Sequence, residues 1–132
     1  MRTPMVANTA TFRVNGRLDG LNEYTRACRS NKYAGAKLKK RNQAKVVRAI
    51  EDAGLKPLRG NVSLVITWYD KPGANGRHRD KDNIAFAKKF VLDGMVEAGL
   101  IADDDWATVI GFTDLFVESD DEGVGVFAAE VS

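Results

Sequence analysis

The chain has very few of the residues on which several enzyme classes depend. Its 132 residues include one cysteine, Cys28, and one histidine, His78. A single cysteine cannot form an internal disulfide, and one cysteine with one histidine cannot supply the several ligands of a structural zinc site. The single histidine also argues against hydrolases in which a histidine activates a nucleophile. Three prolines and twelve glycines are too few for a fibrous or low-complexity protein.

Long apolar runs are also missing. No segment is long enough to span a bilayer, and the N-terminal residues 1–8 contain no apolar segment of the kind found in signal peptides. A single cysteine fits a reducing compartment. We therefore expect a cytoplasmic protein with no membrane association and no organic cofactor.

The charges that are present are divided unevenly along the chain. Residues 1–60 contain 14 Lys and Arg against 4 Asp and Glu, a net charge of +10, whereas residues 61–132 contain 6 against 14, a net charge of −8. The first half would attract a polyanion, and the second would repel it unless a divalent cation lay between them. This division is typical of a metal-dependent nuclease, although two solvated faces of an ordinary domain would give the same totals.

Hydrophobic periodicity predicts a single α+β domain over residues 1–132, with a mixed β-sheet and helices packed on it. The 44% hydrophobic content is that of a globular protein. A hairpin is expected between the last two strands, across the acidic turn 120–122. The predicted elements are strand 9–18, two helical pieces within 21–53 separated near 30–35 and ended by Gly54, strand 61–69, a helix from Asp82 or Asn83 to Ala98, and strands 108–119 and 123–131.

Two basic segments are candidates for contacts with DNA phosphates. The second helical piece has an apolar stripe and a basic outer face. The turn-rich loop before residue 80 is basic as well, and its histidine is better suited to contacting phosphate, or to simple exposure, than to acting as a general base. The candidate DNA-binding residues are Lys37, Lys39, Lys40, Arg41, Arg77, His78 and Arg79.

Asp80 and Asp82 form the first part of a candidate metal site. In an extended segment, residues two apart point to the same side, so both carboxylates would reach one point if the chain stayed extended up to the helix. Mg²⁺ takes oxygen ligands, commonly one or two carboxylates with waters and phosphate oxygens. An exposed acidic turn in which Asp82 only caps the helix is the alternative.

A second acidic cluster follows the same helix. A helix from Asn83 to Ala98 would be about 24 Å long, so its two ends cannot share a metal unless the chain folds back after Leu100. Folding back would bring Asp103, Asp104 or Asp105 towards the first pair, and a solvated loop is the alternative.

Lys89 is the better of two candidate lysines for stabilising charge during phosphodiester cleavage. It lies seven residues after Asp82 and returns to within about 20° of its helix face, whereas Lys88 is about 120° away. A surface pair between Lys89 and Asp93 is the alternative.

Taken together, these residues resemble the RusA-like Holliday-junction resolvases of bacteria and their phages. The family pattern is approximately Arg-Asp-x-Asp-Asn, a helix with a Lys and a Leu-Asp, and then Gly-Val-Ile-x-Asp-Asp. The matching residues are Arg79-Asp80-Lys81-Asp82-Asn83, Lys89, Leu92-Asp93 and Gly99-Leu100-Ile101-Ala102-Asp103-Asp104.

The resemblance implies a dimeric, Mg²⁺-dependent endonuclease, with Mn²⁺ as a possible substitute, that nicks four-way DNA junctions symmetrically. The implied catalytic aspartates are Asp80, Asp82 and Asp104, with Asp103 as a supporting acid. The family lysine lies four residues after the second motif aspartate, where this chain has Phe86. Counting back from Leu92-Asp93 selects Lys89 instead, as though three residues were added early in the helix.

The sequence also allows two alternative functions, and it predicts a contact between subunits. The chain could be a branched-DNA-binding protein of the same fold that has lost turnover, or a domain whose acidic metal site is purely structural. The C-terminal strands supply apolar residues for a two-fold homodimer interface, namely Phe112, Leu115, Phe116 and Val117. Trp68 and Trp106 are expected in the core or in an interface, with stacking of Trp106 on an opened base as the alternative.

Overall fold

The computed structural model describes residues 8–131. Residues 1–7, on which most of the signal-peptide prediction depends, and residue 132 lie outside the described part. The elements are β1 (Thr9–Asn15), α1 (Leu21–Ser30), α2 (Ala34–Ala53), β2 (Asn61–Asp70), α3 (Lys81–Ala85), α4 (Lys88–Glu97), β3 (Val109–Glu118) and β4 (Gly123–Val131). These elements form one α+β unit with a four-stranded mixed sheet, which confirms the predicted fold class.

The predicted hairpin between the last two strands is wrong. The sheet order is β1-β4-β2-β3, so β2 lies between β4, which is antiparallel to it, and β3, which is parallel to it. The chain crosses the end of β2 after β3, where the backbone N–H of Ser119 donates to the Asp70 carbonyl at 3.0 Å. Alternate residues of β2 are buried along its whole length, whereas β3 buries only Val109. The strand with the more apolar face therefore takes the central place.

The helices cover one face of the sheet and enclose the core. Val62, Leu64 and Ile66 of β2 are completely buried on this face, together with apolar residues of α2 and α4. Helices α2 and α4 approach closely because α4 has a glycine at the contact. A Cβ atom added to Gly94 would lie 2.6 Å from Cγ1 of Val46, so a larger residue there would push the two helices apart.

The opposite face of the sheet is not covered within residues 8–131. The strand register places Leu115 and Val117 of β3 beside the odd-numbered residues of β2, on the side away from the helices. Phe127 and Val131 of β4 share this side. All four side chains are exposed to between 42% and 48%. The fold therefore leaves an apolar surface on the open face, defined here by Leu115, Val117, Phe127 and Val131.

The helix predicted from Asp82 or Asn83 to Ala98 begins earlier and is interrupted. It starts at Lys81, and the regular hydrogen bonding breaks at Phe86 and Ala87, which separate α3 from α4. Around this break, N–H groups donate three residues back, for example from Lys89 to the Phe86 carbonyl at 3.2 Å. The Phe86 ring packs against Tyr24 and Phe90, at centroid distances of 5.2 and 5.8 Å. These contacts with α1 and α4 hold Phe86 at the interruption.

Two smaller predictions have different outcomes. The first strand ends at Asn15 and not at Leu18, because Gly16 adopts φ +86° and turns the chain out of the sheet. Gly54 ends α2 as predicted, with φ +61° and its N–H donated to the Glu51 carbonyl. Among the described residues, none of the helices has the length and apolar character needed to cross a membrane.

Candidate functional site

Asp80 and Asp82 lie where the chain enters α3. Asp80 is the N-cap residue, with extended backbone at φ −61° and ψ 144°, and its carbonyl accepts the Ile84 N–H at 3.0 Å. Asp82 is already inside the helix. The prediction that both lie in an extended segment is therefore wrong, because the helix begins at Lys81. Because Asp80 is extended and Asp82 is helical, the rule that residues two apart in an extended segment point to the same side does not apply to this pair.

The next residue of the motif, Asn83, has a structural role. Its side chain is buried, and Oδ1 accepts the backbone N–H of Asn22 at 2.8 Å, in the first turn of α1. Gly20 permits this contact, since a Cβ atom there would lie 2.6 Å from the Asn83 carbonyl oxygen. Asn83 thus fixes α3 against the start of α1.

The chain reverses at the end of α4, but the predicted approach of the second acidic cluster to Asp80 and Asp82 is not found among the described residues. The N–H groups of Leu100 and Ile101 both donate to the Met95 carbonyl, at 2.9 and 3.4 Å, and both side chains are buried. Gly99 makes the reversal with φ +76°. The acidic turn that follows is stabilised by its own hydrogen bonds, including one from the Asp104 N–H to Oδ1 of Asp103 at 2.7 Å.

Asp104 is close enough to Asp93 of α4 for their charges to interact. Desolvation by burial, the hydrogen bond with Asp103, and the negative charges of Asp93 and Asp103 raise the pKa of Asp104 above its usual value. Asp93 is itself neutralised by Lys39 of α2, whose Nζ lies 3.2 Å from its Oδ2. A lysine predicted to contact DNA therefore pairs with an acid whose charge acts on Asp104.

Side chains that could bind Mg²⁺ or Mn²⁺ are present, but they do not fit a three-carboxylate site as they are arranged. Within residues 8–131, no group of three or more His, Cys, Asp or Glu side chains is close enough to hold a metal ion. Asp93, whose charge acts on Asp104, lies eleven positions after Asp82, which corresponds to about 16 Å along a helix. The predicted ligands Asp80, Asp82, Asp103 and Asp104 thus form two groups along α3 and α4. We assign no chemical step to a metal.

The two lysines at the start of α4 point in different directions. Lys88 turns towards the sheet, where its Nζ lies 2.6 Å from Asp114 and 4.6 Å from the centroid of the Phe112 ring. Lys89 is exposed and has no ion pair among residues 8–131, because Asp93 pairs with Lys39. Within residues 8–131, Lys89 of α4 and Lys81 of α3 are therefore the cations of the interrupted helix that have no ion pair.

The basic loop, residues 71–79, is held in place by a buried acid, Asp70, which the sequence analysis did not identify. Asp70 is the last residue of β2 and is only 4% exposed. Its Oδ2 lies 2.9 Å from Nδ1 of His78, and its Oδ1 accepts hydrogen bonds from Nη2 and Nε of Arg79 at 3.0 and 3.3 Å. His78 and Arg79, both predicted to contact phosphates, are therefore already paired with Asp70. The signal was present in the sequence, since Asp70 continues the alternation of inward-facing residues along β2.

The titration of this cluster follows from its geometry. Burial alone would raise the pKa of Asp70, but the hydrogen bonds from His78 and Arg79 and the charges of Arg79 and Arg17 outweigh it and lower the pKa. The pKa of His78 is raised by its hydrogen bonds to Asp70 and to Glu118, whose Oε1 lies 2.7 Å from Nε2. The cluster is therefore most strongly paired when Asp70 is ionised and His78 is protonated.

The remaining basic candidates separate into paired and unpaired residues. Arg41 pairs with Asp19 at 3.3 Å, and Lys39 pairs with Asp93. Lys37, Lys40 and Arg77 are exposed and have no ion pair within the described part of the chain. These three side chains are free to contact a polyanion.

The two tryptophans have opposite environments. Trp68 is buried and donates from Nε1 to Asp114 at 2.9 Å, as expected for a core residue. Trp106 is 96% exposed and directly follows the acidic turn, so it does not belong to the core of the described structure. The predicted interface residues are divided as well, because Phe112 and Phe116 share the side of the inward-facing β2 residues and Leu115 and Val117 lie on the open face.

Comparison with known proteins adds no assignment. No protein-family model and no curated protein sequence matches this chain. The functional hypothesis therefore depends on the motif and on the geometry given above.

Proposed function

We propose that this protein is a structure-selective DNA endonuclease that resolves four-way junctions by paired symmetric nicks, in recombination and repair. The observation that carries the proposal is the arrangement of the motif along α3, α4 and the reversal that follows them. Asp80 is the N-cap of α3, Lys89 lies in the first turn of α4, and after the reversal the charge of Asp93 acts on Asp104. All the chemistry-bearing residues of the motif thus lie along one interrupted helix and its return turn.

The proposed roles follow from the chemistry of the side chains. Asp80, Asp82 and Asp104 are the proposed catalytic acids, with Asp103 in support through its contact with the Asp104 backbone. Lys89 would stabilise the negative charge that develops on the cleaved phosphodiester. Dependence on Mg²⁺, or on Mn²⁺ as a substitute, belongs to this proposal because the acids offer only oxygen donors.

The proposed DNA contacts begin with the unpaired cations. Lys37, Lys40 and Arg77 have no acidic partner among residues 8–131, so a phosphate would not have to displace one. Lys39, Arg41, His78 and Arg79 would contribute positive charge from positions fixed by Asp93, Asp19 and Asp70. Such contacts give affinity that depends on salt and carry little base specificity.

A homodimer is part of the same proposal. A four-way junction has approximate two-fold symmetry, and two incisions at related positions require two sites related by the same symmetry. The apolar surface on the open face is the proposed subunit contact, because a second sheet packed on it would remove four large apolar side chains from water. We place the protein in the cytoplasm of a bacterial or phage-infected cell, where such junctions form.

A second candidate function is branched-DNA binding without turnover. The observation that favours it is the separation of the acids into two groups, with no three-carboxylate cluster within residues 8–131. In that function the basic residues would still bind the junction, and the acids would be remnants.

A cleavage assay with a matched binding assay tests both functions. Labelled four-way junction and linear duplex of the same arm sequences are incubated with the protein, with and without Mg²⁺. The endonuclease should nick the junction only with Mg²⁺, and Asp80→Asn, Asp82→Asn and Asp104→Asn should each abolish nicking while junction binding persists or tightens. Asp120→Asn, an exposed change in the β3–β4 turn, should have no effect.

The outcomes separate the candidates. Junction binding without Mg²⁺-dependent nicking at any protein concentration would support the binding protein and overturn the endonuclease. Full activity in one of the three aspartate variants would remove that residue from the site. Binding of Mn²⁺ by the wild type, followed by electron paramagnetic resonance, tests the metal without relying on cleavage.

A further inference from the structure

Asp70 is the one buried residue with an ionisable side chain among residues 8–131. A buried carboxylate is unfavourable unless it is paired and hydrogen-bonded, and here each oxygen has a partner in the loop that precedes α3. Oδ2 is bonded to His78 and Oδ1 to Arg79. These partners are consecutive, and the next residue is Asp80, the N-cap of α3.

The same two partners connect three strand ends to the loop. Arg79 Nη1 donates to the Leu18 carbonyl at 3.3 Å, in the segment after β1. His78 Nε2 bonds to Glu118, the last residue of β3, which is paired in register with Asp70 at the end of β2. The loop is therefore attached to the ends of β1, β2 and β3 immediately before α3 begins.

The two acids of this cluster differ in what they contribute. Asp70 is buried, contacts both partners, and is approached by Arg17 at 3.9 Å. Glu118 contacts only His78, and its side chain is 69% exposed, so water and salt screen its charge. The position of the loop should therefore depend on Asp70 much more than on Glu118.

We infer that Asp70 is a positioning residue, which holds His78 and Arg79 so that Asp80 and the first turn of α3 are fixed relative to the sheet. This inference rests on the proposed function, in which Asp80 and Asp82 are catalytic acids. Asp70 does not touch the reacting phosphate. It acts through the two residues that precede the site, and a displacement of about 1 Å at a catalytic group can cost about 100-fold in rate.

Three variants test the inference. Asp70→Asn keeps the size of the side chain, but its amide nitrogen cannot accept a hydrogen bond, so one of the two partners loses its acceptor. Glu118→Gln is the comparison within the cluster. Val46→Ala changes the buried contact between α2 and α4 and is the control for a general loss of stability. The two variants are compared at a temperature at which equal fractions of both are folded.

Single-turnover cleavage and junction affinity are the first pair of measurements. Asp70→Asn should slow cleavage by about 100-fold at saturating junction. Its junction Kd should rise by a much smaller factor, because Lys37 and Lys40 of α2 do not depend on Asp70 and only the loop contacts of Arg77, His78 and Arg79 are disturbed. Glu118→Gln and Val46→Ala should cleave within about threefold of the wild-type rate. Cleavage by Asp70→Asn as fast as by Val46→Ala would overturn the inference.

Hydrogen exchange gives a second measurement that does not need cleavage. The N–H groups of Ile84 and Phe86 donate to the carbonyls of Asp80 and Asp82 and report the first turn of α3. Asp70→Asn should speed their exchange at least tenfold more than Val46→Ala does. Equal exchange in the two variants would overturn the inference even if the wild-type protein proved not to cut DNA, and an inactive wild type alone would overturn only the proposed function.

Discussion

Nζ of Lys39 lies 3.2 Å from Oδ2 of Asp93, and this ion pair joins α2 to α4 at a carboxylate whose charge acts on Asp104. The basic half and the acidic half of the chain therefore meet at Asp93. A DNA strand that followed the basic face of α2 would reach the acids at this contact. Residues from the two oppositely charged halves of the sequence are thus in direct contact in the folded chain.

The first prediction concerns this ion pair. Lys39→Ala removes the positive charge beside Asp93, so its unneutralised carboxylate should disfavour ionisation of Asp104 further. The pKa of Asp104, already above its usual value, should rise again. The Asp104 carboxyl carbon shift, followed by NMR against pH, measures the change.

Lys40→Ala is the matched control, because Lys40 is exposed and has no ion pair within residues 8–131. It should leave the pKa of Asp104 unchanged. If Asp104 gave the same titration curve in both variants, the charge of Lys39 would have no effect on the pKa of Asp104.

The second prediction concerns DNA binding. Lys37→Ala, Lys40→Ala and Arg77→Ala should each weaken junction binding by a similar factor for all base sequences, because phosphate contacts carry no base information. Each lost phosphate contact should reduce the slope of log Kd against log salt by about 1. Fluorescence anisotropy across a salt series gives this slope.

Asp120→Asn and Lys56→Ala provide controls on exposed charges that belong neither to α2 nor to the basic loop. A Lys37, Lys40, Arg77 triple variant with an unchanged salt slope would show that DNA binds another face of the protein.

The third prediction concerns the dependence of stability on pH. The folded-state pKa of Asp70 is lowered, so its stabilising contribution is present above the ordinary aspartate pKa of about 3.9 and is lost as pH falls through the lowered value. The folded-state pKa of His78 is raised, so its contribution is complete below about 6.5 and is lost as pH rises through the raised value. The contribution of this cluster to stability should therefore be greatest between about pH 3.9 and pH 6.5, the ordinary pKa values of the two side chains.

Urea unfolding from pH 3 to pH 9, in roughly half-unit steps, measures this dependence. His78→Gln should remove the decline on the alkaline side, and Asp70→Asn should weaken the decline on the acid side. If the free energy of unfolding of His78→Gln fell as steeply with rising pH as that of the wild type, another group would be responsible.

Several elements could be predicted from the sequence because their signal is local. The alternation of Val62, Leu64 and Ile66 predicts β2 to within one residue of its observed end, and the glycine after α2 predicts where that helix stops. Strand pairing could not be predicted in this way. A period of two indicates which face a side chain occupies, but not which strand lies beside it, and so the expected β3–β4 hairpin was wrong.

The candidate site also combines features that could be predicted from the sequence with features that could not. The reversal after α4 could be predicted because Gly99 ends the helix, but the predicted approach of Asp103 and Asp104 to Asp80 and Asp82 is not found within residues 8–131. The interruption at Phe86 could not be predicted, since neither Gly nor Pro marks it and contacts with Tyr24 and Phe90 hold it. Asp70 was predictable in principle, because an acid at an inward-facing strand position needs a cationic partner.

The last prediction concerns assembly. We expect a two-fold homodimer of about 29 kDa, twice the chain mass of 14.5 kDa, that buries the apolar surface on the open face. Leu115→Lys with Val117→Lys would place two charges in that contact and should yield monomers that stay folded, because both side chains lie away from the core. Light scattering and circular dichroism measure mass and folding.

Phe112→Lys is the comparison, since Phe112 is similarly exposed but lies on the helix side of the sheet, and it should leave the dimer intact. Mixed dimers of wild-type and Asp82→Asn subunits should make mostly single nicks, because each subunit supplies one site to one of two symmetric strands. A wild-type protein that is monomeric both free and on junction DNA would refute the dimer. Paired incision would then have no structural basis, because a single chain offers only one set of these acids to a junction that must be cut twice.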